Sequence, residues 1–398
     1  MLKYSSLRIK GICTLGLVLR ILMLLLVTVF SKELSTGLLG SDYVQDDVRY
    51  LAGAEIYAST ASGLIDNEAI IAAYDEVEPI GSHDSGLELW YWIISISMYL
   101  FRSAFLVRLL NIIFAVVSIK CIYDICLIQY NRKVAILASL LYAVLPYPII
   151  FSCFLYKDQF YTMITLLVFR KAFECAGNIR PKDWIYLLVG ILLSQLTRSG
   201  VSVVIFLSVI IILYKKGNYK VNSLWVIAGG VIFAAAMYFF VLLNLEDITR
   251  KLYAYILSNA DAGESTIAMF EIRSPGQLYR YPFSYLFALV QPLNINFSLK
   301  NWFQMAGILN VVALPVAIAN FYYLLNFKFK KDYLYWITQV LFLITILASL
   351  GIVRHQYYLQ PFIMIYGAMY ICNNKRLTFW KVSSISSIII ILMVWMFF

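Results

Sequence analysis

Apolar runs of about 15 to 22 residues recur along the chain, separated by short polar or charged breaks, and a bilayer-spanning helix needs roughly 20. The pattern predicts an all-α integral membrane protein, a polytopic bundle forming a single transmembrane domain over residues 1–398. Two stretches interrupt the rhythm. Residues 32–105 begin with polar, acidic sequence that includes "SDYVQDDVRYLAGAEIY" from Ser41 to Tyr57, and residues 245–301 form a second long break. Both are predicted to be loops, the first carrying interfacial or re-entrant helices. Composition agrees, because 62% hydrophobic residues and a mean hydropathy of +0.79 exclude an ordinary soluble globule.

Charge sets the expected topology. Lys and Arg gather at Lys3/Arg8/Lys10, Arg132/Lys133, Arg170/Lys171/Arg180/Lys182, Lys215/Lys216/Lys220, Lys328/Lys330/Lys331 and Lys375/Arg376/Lys381. Such clusters between apolar runs mark cytoplasmic loops. From Lys32 to Glu88 the chain holds twelve Asp and Glu but only Lys32 and Arg49 as bases, so this loop is expected outside. All clusters fit one face only if Leu89 to Phe105, "LWYWIISISMYLFRSAF", does not cross. That segment is expected to be re-entrant or interfacial, with Trp90, Tyr91 and Trp92 at headgroup level.

The spans then fall at about 11–31, 106–129, 134–156, 159–174, 184–197, 199–214, 223–244, 302–326, 334–353, 359–373 and 380–398. About eleven crossings place the N-terminus in the cytoplasm. The short pair 184–197 and 199–214 hinges at "TRSG", Thr197 to Gly200, either as a broken helix pair or as one long tilted helix. The basic start followed by an apolar run resembles a signal peptide, but it carries Arg20 and ends in "FSKEL", so a retained first helix is expected. The net charge of +10 is distributed between spans, which argues for lipid contact and against nucleic acid. The six cysteines lack paired metal-ligand spacing and predict neither a disulfide framework nor a metal site.

Under this topology several ionisable residues share the outer rim: Asp46 and Asp47, His83 and Asp84, Lys157 and Asp158, Arg198, Arg354 and His355. Charges at membrane depth are costly and mark function by default. The acid pair could equally be a solvated helix start, since carboxylates stabilise helix N-termini. Asp158 in "FLYKDQF" could pair with Lys157 at the interface, and Arg198 could bind an anion such as phosphate or snorkel. Lys120 and Asp124, spaced i, i+4 in the span 106–129, are expected to form a buried ion pair. No phosphate-cradling Gly-rich loop, Gly-x-Ser-x-Gly or His-Glu-x-x-His occurs.

The order of these elements resembles the GT-C superfamily of polyprenyl-phosphate-dependent membrane glycosyltransferases, in the branch of protein O-mannosyltransferases and the lipid A aminoarabinose transferase. The motif Asp46-Asp47-Val48-Arg49-Tyr50 is similar to that branch's Asp-Glu-x-Arg-Tyr. "WYWIISISMYLFRSAFLVRLL" resembles its Tyr-Trp segment and Arg-Leu helix, and "LLYAVLPYPIIFSCFLYKDQF" its proline-containing helix leading to a second acid. "LVGILLSQLTRSG" is similar to a helix ending in Leu-Thr-Lys, with Arg198 in place of the lysine, and "RHQYYLQPF" to a late Arg-x-Tyr-x-x-Pro start of a helix. Where relatives carry His- or Lys-Pro-Pro before Tyr-Trp, this chain has "GSHDSGLELWYW".

The resemblance implies a GT-C-like bundle with juxtamembrane helices in its first outer loop. It implies an inverting glycosyltransferase of the bacterial plasma membrane, active on the outer face in cell-envelope polysaccharide or glycolipid assembly or modification. The donor would be a polyprenyl-phosphate sugar, such as an undecaprenyl phosphate sugar, and the acceptor a glycan or glycolipid. Asp46 would be the general base, with Asp47 left open as the alternative, and Asp158 would orient the acceptor or balance charge. Tyr50 would contact the lipid phosphate; on physical grounds Lys157, Arg198 and Arg354 are expected to stabilise it as it departs. Arg49, His83, His355 and Tyr357 are further candidate substrate contacts. Some superfamily members use a divalent metal; the branch resembled here is metal-independent, and no cofactor is expected. A polysaccharide polymerase acting on lipid-diphosphate-linked repeats, or a non-catalytic lipid-linked sugar transporter, are the competing readings.

Overall fold

The computed structural model describes residues 2–33, 45–77, 89–197, 201–216, 279, 309–325, 332–349, 357–373 and 380–388. Every longer element among them is an α-helix: α1 (Leu2–Glu33), α2 (Gln45–Thr60), α3 (Asn67–Val77), α4 (Leu89–Phe101), α5 (Ala104–Gln129), α6 (Arg132–Val144), α7 (Pro146–Phe151), α8 (Lys157–Cys175), α9 (Pro181–Thr197), α10 (Val201–Lys216), α11 (Leu314–Leu325), α12 (Tyr333–Ser349), α13 (Gln360–Asn373) and α14 (380–388). Two of them, α1 over Arg8–Val29 and α5 over Ala104–Gln129, are long and apolar enough to cross a membrane. At 1.5 Å per residue these run roughly 33 and 39 Å, against a hydrocarbon core of about 30 Å. The expected span 223–244 lies outside the described residues, as does the loop 245–301 apart from Tyr279.

The outward surface is apolar where a soluble protein's would be polar. Helix α9 exposes Trp184, Ile185, Leu188, Val189, Leu192 and Leu196 and buries Asp183, Leu187, Ser194 and Thr197. Leucine outward with serine and threonine inward is the order expected when the surroundings are lipid. Gly190 belongs to the inner stripe because a Cβ there would stand 2.4 Å from Val168 Cγ2 of α8. On α1 the exposed positions are likewise Leu15, Val18, Leu22, Leu25, Leu26 and Val29. Helix α5 packs against α1, α6 and α8, while α13 packs on α6 and α11.

Local chemistry sets several boundaries. The Asn131 side chain accepts from the amides of Lys133 and Val134 (3.0 and 3.1 Å) and starts α6 as an N-cap. Asp66 does the same for α3, accepting from the Ala69 amide at 3.0 Å and from the amide and hydroxyl of Ser62 at 3.0 and 2.7 Å. These donors hold its carboxyl down at about 2. Helix α4 closes at Arg102, whose φ of 50° is the left-handed stop that ends many helices.

Two expectations change. The span expected over 134–156 is two helices and a strap, because Pro146 has no N–H and forces Leu145 into an extended conformation (φ −68°, ψ 138°). The Trp90 side chain is buried against Phe160, with centroids 5.7 Å apart. The Lys120–Asp124 pair exists (2.5 Å), but the lysine is 45% exposed. Asp124 also receives Arg170 Nε of α8 at 3.0 Å, so it ties α5 to α8 at one end of the bundle. At that same end Lys171 pairs with Asp183 (2.6 Å).

Candidate active site

Helix α2 starts with the acid pair, and its buried positions Asp47, Tyr50, Ala54 and Tyr57 recur at steps of three and four. Asp47 is therefore a member of the packed stripe at the start of the helix. Gly53 leaves room for α3: a Cβ there would stand 2.2 Å from the Tyr74 ring. The Tyr74 hydroxyl donates to the Tyr50 carbonyl at 3.2 Å, and its ring stands edge-on to Tyr91 at 4.5 Å. The α2–α3–α4 layer is thus fixed by aromatic packing before any charge is considered.

Asp47 is 2% exposed, and both of its oxygens are engaged. Oδ2 pairs with Arg108 Nη2 in the first turns of α5, and Oδ1 accepts the Leu155 amide at 2.6 Å. Leu155 belongs to the buried strap between α7 and α8. Buried backbone outside a helix must find partners elsewhere. Trp90 Nε1 of α4 donates to the Leu155 carbonyl at 2.9 Å. Asn111 Nδ2 of α5 donates to the carbonyls of Phe154 and Tyr156. Side chains from α2, α4 and α5 therefore converge on one short piece of chain.

That piece ends where α8 begins, at Lys157 and Asp158. Three residue steps separate Leu155 from Asp158, and a fully extended chain covers at most about 11 Å in that distance. The two acidic helix starts are thereby close neighbours. Asp158 is 3% exposed in the first turn of α8, where the helix dipole favours a carboxylate. Next to it, Gln159 Oε1 accepts the Tyr357 hydroxyl at 2.7 Å, and its Nε2 faces Ser118 Oγ at 3.4 Å. Arg170, Lys171 and Glu174 lie at the far end of α8, away from this site, with Asp183 of α9 against Lys171.

The remaining candidates distribute as follows. Tyr50 is buried, and the Arg49 guanidinium lies 5.3 Å from its ring centroid. Lys157 is half-buried at the start of α8. Tyr357 is wholly buried, stacked on Phe151 at 3.9 Å with its hydroxyl held inside the bundle. His83, Arg198, Arg354 and His355 lie outside the described residues, as does the Asp46 side chain. Sequence reasoning did not select Arg108, Asn111, Trp90 or Gln159. The spacing of Arg108 and Asn111 on one face of α5 was the available signal. Among the described residues no three His, Cys, Asp or Glu side chains group closely enough to hold a metal ion.

No curated protein and no solved structure matches the chain. A family model does match, from the first residue of α4 across the strap and Asp158 to beyond α10. Residues 89–243 match the family described as dolichyl-phosphate-mannose-protein mannosyltransferase, a GT-C family of membrane glycosyltransferases.

Proposed function

We propose that this protein transfers a sugar from a polyprenyl-phosphate donor to a glycan or glycolipid acceptor, with inversion, at the rim where α2 meets the strap. An acceptor hydroxyl or amine attacks the anomeric carbon, and its proton passes to a carboxylate. The bond from the anomeric carbon to the phosphate oxygen breaks, and its electron pair leaves with the polyprenyl phosphate. The base is Asp46. Asp47 is unsuited to that role, because Arg108 and the Leu155 amide already occupy its oxygens. It acts as the strut that fixes α2 beside α8. Asp158 orients the acceptor. Lys157, Arg198 and Arg354 stabilise the departing phosphate, a role worth about 3 kcal/mol per preorganised donor, and Tyr50 borders the phosphate. Arg49, His83 and His355 border the sugar or the acceptor. The chemistry proceeds without a metal.

The face is the non-cytoplasmic one of a bacterial plasma membrane. This is supported by the gathering of Arg132, Lys133, Arg170 and Lys171 at the opposite ends of the helices. On that face nucleotide sugars are absent and a lipid phosphate is the available activated donor, which suits cell-envelope polysaccharide or glycolipid work. The observation that carries the reading is the bond from the Leu155 amide to Asp47, which brings the acid pair to the start of α8. The test offers radiolabelled polyprenyl-phosphate sugars to purified protein in vesicles. Asp46→Asn and Asp158→Asn should each lower turnover by about 10² or more while lipid binding persists. Full activity in both variants would refute the assignment.

A further inference from the structure

Arg20 stands inside the apolar stretch Arg8–Val29 of α1 and is 0% exposed. A cation at that depth is costly and needs an explanation. Its Nη1 donates to the carbonyls of Gly16 and Ala143, and Nη2 to that of Tyr142, each at 3.0 Å. The guanidinium carbon also lies 5.7 Å from the Tyr142 ring centroid. No carboxylate is among its described partners.

Two of those carbonyls close α6. In an unbroken helix the Tyr142 carbonyl would accept the amide of residue 146, but Pro146 has none. The Ala143 carbonyl would accept the amide of Tyr147, which the extended Leu145 carries away. Arg20 therefore supplies the donors that the proline removed, at the negative end of the helix dipole. Gly16 permits the approach: a Cβ there would stand 2.5 Å from Ile119 Cδ1 and 3.3 Å from Ala143 Cβ.

The same residue grips the far side of α7. Cys153 Sγ, at the start of the strap, stands 3.6 Å from the Arg20 carbonyl and 3.4 Å from the Ile149 carbonyl, sharing its one proton between them. Tyr142 in turn reaches Tyr357 and Gln159, at 3.2 and 3.4 Å, immediately beside Asp158. Arg20 thus touches both ends of the corner that aims the strap.

We propose that Arg20 is a positioning residue for the transfer site: it fixes the α6–α7 corner so that the strap presents the Leu155 amide to Asp47 and starts α8 at Asp158. Only the kinetic consequence rests on the glycosyltransferase reading. Lysine keeps the charge but lacks the planar fork that serves several carbonyls at once.

The test compares wild type, Arg20→Lys and Arg20→Met in nanodiscs by amide hydrogen exchange and by transfer from polyprenyl-phosphate mannose. Expected in both variants is exchange of the Leu155 amide about tenfold faster, with the α5–α8 contact region unchanged. A kcat lower by about tenfold or more at unchanged donor KM should accompany it. Wild-type Leu155 protection in folded Arg20→Lys and Arg20→Met overturns the proposal. If Arg20→Met does not fold, Arg20→Met/Pro146→Ala decides, since alanine returns an N–H to the Tyr142 carbonyl. That variant should regain folded yield and show lower Leu155 protection than Pro146→Ala alone; equal protection in the two means that Arg20 only caps α6, and the proposal fails. Absence of transfer by wild type from every donor offered would sink the functional reading alone, and hydrogen exchange would still decide the positioning role.

Discussion

The Asp47–Arg108 strut makes a prediction whose ordering is more diagnostic than its size. The two partners differ in exposure, 2% for the Asp47 side chain and 17% for Arg108. Removing Arg108 by Arg108→Ala strands a carboxylate that is 2% exposed, and breaking a buried pair this way costs about 3–5 kcal/mol, an upper range here because Arg108 itself is partly exposed. Asp47→Asn is milder, because the amide oxygen still accepts the Leu155 N–H and Arg108 can turn toward solvent. About 1–2 kcal/mol is expected, the size of a charged hydrogen bond replaced by a neutral one. Asp47→Ala additionally orphans the buried Leu155 amide, which adds about 1–3 kcal/mol.

The expected order of loss is therefore Asp47→Asn, then Asp47→Ala, with Arg108→Ala at least as damaging as the latter. The double variant Asp47→Ala/Arg108→Ala should cost less than the sum of its parts, with a coupling of about 0.5–3 kcal/mol. Equilibrium unfolding of purified variants in mixed micelles measures each value, and transfer assays at a temperature where all remain folded separate stability from chemistry. Equal losses for Asp47→Asn and Asp47→Ala would show that the Leu155 amide does not depend on this side chain, and the strut would fail. A folded, stable Asp47→Asn that has lost turnover by about 10² or more would make Asp47 the base and displace Asp46 from that role.

Two further predictions follow from groups outside this pair. The Asp66 carboxyl is held at about 2 against an ordinary 3.8 by the Ala69 and Ser62 amides and the Ser62 hydroxyl. A depressed folded value contributes stability above the ordinary one, lost as pH falls from about 4 toward 2; protection factors of the Ser62 and Ala69 amides should fall in that window, and Asp66→Asn should abolish the pH dependence. Tyr357→Phe keeps the 3.9 Å stack on Phe151 but removes the 2.7 Å bond to Gln159, so a stability loss of about 0.5–1.5 kcal/mol is expected, with donor KM unchanged; a large rise in KM with no stability loss would make Tyr357 a substrate contact.

The elements at this site were legible in the sequence; the contacts that join them were not. Acid pairs after an apolar run, a proline before a second acid and the short "LWYWIISISMYLF" segment are features of one stretch each, and hydrophobic periodicity reads such features well. Arg108 meets Asp47 across 61 positions, and Leu155 meets it across 108. Spacing rules reach only residues three and four apart. That limit explains why Lys120–Asp124 was legible as a pair while Arg170 on Asp124 was not. Trp90 meets the same limit: its indole donates to the Leu155 carbonyl across 65 positions, and a buried indole needs such a hydrogen-bond partner.

The strap also explains why the chain gives up a helix at this point. Had residues 134–156 formed one helix, every backbone group there would have found its partner locally, the cheapest solution in an apolar surround. Asp47, Trp90 and Asn111 would then have faced satisfied backbone, and Asp47 would have kept Arg108 but lost its tie to the start of α8. Pro146 removes that solution by withholding one N–H and extending Leu145. Once the helix is broken, the freed groups need donors and acceptors from other elements, and α1, α2, α4 and α5 each supply one: Arg20, Asp47, Trp90 and Asn111. Convergence of distant polar residues is thus forced by a local deficit in the backbone, and the position of that deficit sets where Asp158 begins its helix beside the acids of α2.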